Sequence, residues 1–313
     1  MRPMTPKERA ITALSLKQPD EVPTWEAVFF ATKEAFGEEF IPANDWAGLT
    51  PAERDAAAGH NARLYLKIAE RYNYTIIFEN FAATGDHSIA IAKKIRQTAG
   101  DRYLIVRHGD ATYGIPDGRS MEEFFVSLFE KPDEMKERAA AMVRGALEGN
   151  KVFLDNGFDG FALCSDYCFN KGPFMSPRMF REFVTEYLQR LIWGYKKMGA
   201  WVIKHTDGNI MPILDQLVEC EPHALHSLDP MAGVDIKEVK RLVGHKVCLM
   251  GNVDCSKMQT GTEAEVIASA EYAITSGKPG GGYFFSTSNC VFPGLPLARY
   301  ELMMTVLEKY KKY

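Results

Sequence analysis

The sequence has no run near the ~18 consecutive apolar residues that a membrane-spanning helix needs, and its opening M-R-P-M-T-P-K-E-R-A lacks the apolar core of a signal peptide. A cytoplasmic protein is therefore expected. No block of basic residues stands out in a chain of net charge −4, so composition gives no reason to expect nucleic acid or a membrane surface as partner. The six cysteines (Cys164, Cys168, Cys220, Cys248, Cys255, Cys290) form no C-x-x-C pair. A chain of this size needs no disulfide staples, so reduced thiols are expected. There is no Pro/Ser/Gly-rich linker and no internal repeat, which argues for one domain over residues 1–313.

What is present is a core. With 313 residues, 46% hydrophobic, the chain can bury one of barrel size. The second half alternates regularly: short apolar runs at 161–164, 201–204, 224–227, 246–250 and 280–285 are each followed by a helical stretch. Repeated strand–helix units predict a parallel sheet, and at this length an α/β (β/α)8 TIM-type barrel. Seven strands have support, 22–25 and 75–78 among them. Helices are expected at 5–16, where Thr5, Pro6 and Glu8 give a start signal, at 29–40, and at 51–71 after Thr50. Residues 89–95, 103–108 and 111–115 carry β-type runs and predict an antiparallel excursion in the first half.

The strand ends carry the chemistry. They offer Asp166, His205, Asp207, His226, Asp229, Asn252, Asp254, Ser286, Asn289 and Cys290. In parallel α/β proteins the carboxyl ends of the strands are where sites are built. Singly, an Asp after a strand more often caps the next helix, and a lone Cys more often belongs to the core. Together, imidazole, carboxylate and thiolate suit zinc. His205 and Asp207 stand at i and i+2, on one side of an extended chain, and with Cys290 they are the expected metal triple.

Several stretches resemble the uroporphyrinogen decarboxylase superfamily: residues 5–23, the K-G-P-F-M-S-P-R-M-F-R-E-F segment at 171–183, K-H-T-D-G-N-I-M-P-I-L at 204–214, L-M-G-N-V-D at 249–254 and the G-G-G-Y segment. The resemblance implies a barrel with its site at the strand carboxyl ends. True decarboxylases of that superfamily carry an arginine-rich amino-terminal stretch that binds substrate carboxylates. Here T-W-E-A-V-F-F follows Pro23, and no arginine appears until Arg54.

The departure points to the superfamily's other branch, the zinc-dependent corrinoid methyltransferases, whose usual pattern is His-x-Cys with a later Cys. His205 and Cys290 match the outer positions, and Asp207 stands where a Cys is usual. The resemblance then implies methyl transfer from a small methylated substrate to or from cobalamin carried by a partner corrinoid protein. Asp166, Asp229 and Asp254 are the candidate acids, and Trp25, Phe29, Phe81, Tyr167 and Asn252 the candidate substrate contacts. A metal-free decarboxylase and a non-catalytic corrinoid-binding subunit are the alternatives. The D-x-H-x-x-G corrinoid motif is absent from the chain. A helical exterior leaves room for a homodimer.

Overall fold

The structure, a computed structural model, describes residues 2–313. The helix starts follow local chemistry. Thr5 and Glu8 form a reciprocal capping box ahead of helix Pro6–Leu14, and Thr50 and Glu53 form another ahead of Pro51–Arg71.

Nine strands lie among the described residues: β1 (Ile76–Glu79), β2 (Leu104–His108), β3 (Gly160–Leu163), β4 (Cys168–Phe169), β5 (Gly172–Pro173), β6 (Trp201–Thr206), β7 (Ala224–Ser227), β8 (Cys248–Met250) and β9 (Tyr283–Phe284). Seven form one parallel sheet in the order β1-β2-β3-β6-β7-β8-β9. The 22–25 run forms no ladder of its own. Thr24 alone bridges both edges of the sheet, pairing in parallel with Tyr74 on one side and Phe285 on the other. Its hydroxyl donates to the Phe285 carbonyl at 2.7 Å, and its own carbonyl accepts from Thr75 N–H at 2.9 Å.

Alternation along the strands sorts two cores. Ile76, Phe78, Leu104, Val106, Ala162, Ile203, Ala224, Met250 and Phe284 turn to one face with Trp25. Ile77, Ile105, Phe161, Val202, Leu225 and Leu249 turn to the other, under the helices. Each large apolar side chain buried this way contributes roughly 1.5–3 kcal/mol.

The antiparallel excursion exists, but it is the β4/β5 hairpin with Cys168 opposite Pro173, not the 89–115 region. Residues 89–95 lie in helix Gly85–Ala99. Ser88, Ile91, Ala92 and Ile95 are its buried positions, spaced i, i+3, i+4, i+7, so the helical period prevails over the β preference of isoleucine. Residues 104–108 are a strand, but a parallel one between β1 and β3. Residues 111–115 form a loop because Asp110 takes the N–H and hydroxyl of Thr112, while Ile115 N–H reaches the Asp166 carbonyl. The helix expected at 29–40 is reduced to Thr32–Phe36. Phe30 is drawn out to Val291, and Gly37 stops the helix at φ 71°.

Among the described residues no helix is long and apolar enough to cross a membrane.

Candidate metal centre

The parity of β6 builds the centre. Ile203 faces the inner core, so His205, two residues on, points the same way at the strand's carboxyl end. Its register partner on β7 is His226, and the two rings meet Nδ1 to Nδ1 at 2.8 Å. The other ring nitrogen of His205 faces two carboxylates, 3.8 Å from Asp166 Oδ1 and 3.7 Å from Asp207 Oδ1.

Both carboxylates are held. Asp166, in the loop after β3, accepts the Asp207 backbone N–H at 3.0 Å. Asp207 accepts the Ser227 hydroxyl at 2.8 Å and the Asn289 amide at 2.5 Å. Burial, reinforced by the negative charge of Asp166, raises the Asp207 pKa against the pull of His205. Gly208 lets the chain turn directly after these residues. It sits at φ +79°, and a Cβ there would lie 2.4 Å from the Cys168 carbonyl oxygen of the hairpin.

One ligand atom from each of Asp166, His205 and Asp207 lies within 4.8 Å of the others. Two ligands about 2.1 Å from a tetrahedral ion stand about 3.4 Å apart, so the observed spacings suit a shared divalent cation after a small inward shift. One imidazole and two carboxylates make an oxygen-rich set acceptable to zinc.

Cys290, expected as third ligand, is not in this group; Asp166, expected as an acid, is. Cys290 instead lines an adjoining cavity of about 270 Å³ with Asp207, Asp229, Cys255, Asn289 and Phe292. Burial, with Glu26 and Cys255 adding to it, pushes its thiol up to about 12.

The other expected residues divide. Asp229 lines the cavity and also caps a turn by accepting Met231 N–H at 2.9 Å; its pKa is raised by burial. Asp254 is occupied as a helix cap for Ser256 and Lys257 and lines a different cleft, together with Asn252, whose amide donates to the Leu228 carbonyl. Trp25 is fully buried and packs its ring on His226 at 5.2 Å. Phe81 stacks on Phe40 at 4.1 Å. Phe29 and Tyr167 belong to the core under the helices, Phe29 against Tyr72 and Tyr300, Tyr167 with its hydroxyl on Thr112.

Two neighbours, His108 and Glu26, lie outside the strand-end set read from the sequence; His226 belongs to that set, but its place against His205 comes from the β6/β7 register. His108 shares the inward parity of Leu104 and Val106, a signal present in the sequence; its pKa is lowered by desolvation, then by Arg107 and His205. Glu26 is buried, with its carboxylate on the N–H and hydroxyl of Thr287, and burial pushes its pKa up to about 8.

Beneath the centre lies a buried ion pair. Lys204 is fully buried, 2.9 Å from Asp110, and also donates to the Leu163 and Ser165 carbonyls. Asp110 in turn accepts Ser165 N–H at 2.9 Å. Both sides of the residue preceding Asp166 are thus clamped.

Residues 111–310 match the family model described as uroporphyrinogen decarboxylase (URO-D). The chain belongs to this family. Among curated relatives, the uroporphyrinogen decarboxylase of Shewanella halifaxensis is 30% identical over 125 residues, 37% of this chain and 32% of that protein. The enzyme of the same name from Shewanella piezotolerans is 30% identical over 213 residues, 63% of this chain and 56% of its own length. The chain thus spans between a third and just over half of these relatives. In three dimensions a methyltransferase from Methanosarcina mazei superposes with a TM-score of 0.76 at 18% identity, covering 98% of this chain and 99% of that one. That likeness establishes a common fold for the URO-D-like chain over nearly its full length.

Proposed function

We propose that this URO-D family chain is a zinc-dependent methyltransferase. It would move a methyl group between a small methylated substrate (an aryl methyl ether, a methanol-type donor or a methylthiol) and cobalamin carried by a partner corrinoid protein. The observation that carries the reading is the convergence of Asp166, His205 and Asp207 at the ends of parallel strands, beside a cavity large enough for a small molecule. A zinc ion held by these three supplies a Lewis acid for the heteroatom that bears the methyl group. The partner's corrinoid supplies the reacting cobalt, so the chain need provide no nucleophile of its own.

The chain's own residues bind and move protons. Asp229 lines the cavity, and its raised pKa lets it hold a proton to higher pH than an ordinary carboxyl, as a donor to a departing heteroatom requires. Ser227 and Asn289 fix the rotamer of Asp207, leaving its Oδ1 turned to His205. Phe292 and Met231 give the cavity its apolar wall.

The rival is metal-free decarboxylation of a porphyrinogen, the activity in the curated relatives' names. A substrate bearing many carboxylates needs cationic donors. The cavity lining contains Asp207 and Asp229 and, among the described residues, no lysine or arginine; Lys204 is committed to Asp110. The test is methylation of cob(I)alamin, followed spectroscopically, with methoxyarenes, methanol and methylthiols as donors. Transfer from one donor class supports the proposal. No transfer from any, with porphyrinogen turnover in a metal-free preparation, refutes it in favour of the rival.

A further inference from the structure

We infer that the cavity beside the centre selects an uncharged, hydroxyl-bearing methoxyarene and rejects methyl donors that carry a carboxylate. This rests on the methyltransferase reading above and narrows its substrate to one class.

Size favours a ring. The cavity holds about 270 Å³, just under the roughly 300–1,000 Å³ of sites that take drug-sized ligands. At ~30 Å³ for one water it equals about nine waters, so methanol or methanethiol, with two heavy atoms each, would leave most of it unfilled. A single substituted aromatic ring suits it better. Phe292 and Met231 in its lining are both favourable neighbours for such a ring, one through its π-system and the other through its thioether.

Charge excludes an anion. Asp207 and Asp229 line the cavity, and no lysine or arginine does. A bound zinc brings two positive charges, and Asp166 and Asp207 bring two negative ones, so the loaded centre has none left over for a substrate carboxylate. The Lys204 ammonium is taken by Asp110, and Lys257 lines the separate cleft with Asp254. The raised pKa of Asp229 comes from burial first, with the negative charge of Asp254 adding to it. A substrate carboxylate here loses its water without gaining a counter-charge, whether or not Asp229 holds its proton.

The polar groups call for a donor. Asn289 gives its amide N–H to Asp207, and its Oδ1 accepts no bond among the described residues. Asn289 and Asp229 therefore offer oxygen acceptors in the lining. A phenolic hydroxyl supplies the matching O–H without bringing negative charge. A carboxylate is an acceptor only, so it meets acceptors and like charge together.

The test compares donors that differ by one carboxylate, 2-methoxyphenol and 4-hydroxy-3-methoxybenzoate, on the zinc-loaded full chain. Both are titrated calorimetrically and run in the cob(I)alamin methylation assay beside methanol and methanethiol. The expected kcat/KM for 2-methoxyphenol is on the order of 100-fold above that of the carboxylated donor, with the difference mainly in KM and repeated in the calorimetric Kd. Met231 is a half-exposed lining position. Met231→Lys is expected to shift the ratio toward the carboxylated donor by on the order of tenfold or more, and the uncharged Met231→Gln to leave it within about threefold. That contrast separates charge from a general disturbance of the wall. Equal or better use of the carboxylated donor, a preference for methanol or methanethiol, or a ratio that Met231→Lys does not move would overturn the inference while leaving methyl transfer standing. Transfer from no donor overturns the methyltransferase reading, and this inference with it.

Discussion

Replacing Lys204 by Met tests how the centre is supported. The ammonium is fully buried, 2.9 Å from Asp110 and within hydrogen-bond distance of two carbonyls, with the Tyr167 ring 4.0 Å away. At an effective dielectric of ~20, opposite charges at that distance attract by about 6 kcal/mol, a gain largely offset by desolvating both ions. The intact pair is therefore worth little net. Breaking it is a different matter, because Lys204→Met leaves Asp110 buried without its counter-charge, at a cost of about 3–5 kcal/mol. Typical folded chains have only about 5–15 kcal/mol in total. Asp110→Asn strands the lysine instead and should cost a comparable amount. The double variant should cost less than the sum of the singles by on the order of 2 kcal/mol. Urea denaturation followed by circular dichroism reads all four chains. Burial alone would raise the Asp110 pKa, but Lys204 and the bonds from Thr112 and Ser165 outweigh it and hold the carboxyl below its ordinary value. Its contribution is thus present above the unfolded pKa of about 4 and is lost as pH falls through the lower folded one. Lys204→Met costing under about 1 kcal/mol, or strict additivity in the cycle, would refute this reasoning.

Three further outcomes are expected. Glu26 runs the opposite way in pH. Its pKa is raised to about 8 by burial, so the stability of its protonated form is full below about 4.5 and is lost as pH rises toward 8. Glu26→Gln should leave the melting temperature nearly unchanged at pH 5 and raise it at pH 9; an equal shift at both would contradict the assignment. Gly208→Ala combines a left-handed backbone with a 2.4 Å approach to the Cys168 carbonyl and should cost about 2–5 kcal/mol, read by thermal unfolding. A neutral result there would mean that the hairpin moves freely. Asp166→Asn should weaken zinc binding on the order of tenfold or more, whereas Cys290→Ser should change it by less than about threefold. The reverse order, measured by chelator competition, would restore the thiol as ligand.

How much of this was legible in the sequence follows from the range of the signals. Capping boxes and the 3.6-residue period are local, so Pro51–Arg71 and the strands from β6 onward could be read directly. His205 and Asp207 could be paired because parity on an extended run is local too. The third member of the candidate group could not. Asp166 arrives from the loop after β3, and only the β3/β6 pairing of Leu163 with Lys204 brings it opposite His205. Cys290 is suggested by the zinc affinity of a thiolate near the last strand, but beyond β9 Val291 pairs with Phe29 and the thiol lies beside the cavity. Residues 89–95 misled because isoleucine favours strands while the spacing of Ser88, Ile91, Ala92 and Ile95 is helical. Asp254 shows the opposite: the ordinary expectation that an acid after a strand caps the next helix was correct for it.

The most direct test of the central claim is the metal content of the purified chain, prepared with zinc in excess and then freed of unbound metal, beside the His205→Ala variant. The expected result is about one zinc per chain, lost in the variant, as a site built on one imidazole and two carboxylates requires. A metal-free native chain, or equal zinc in both, would contradict it.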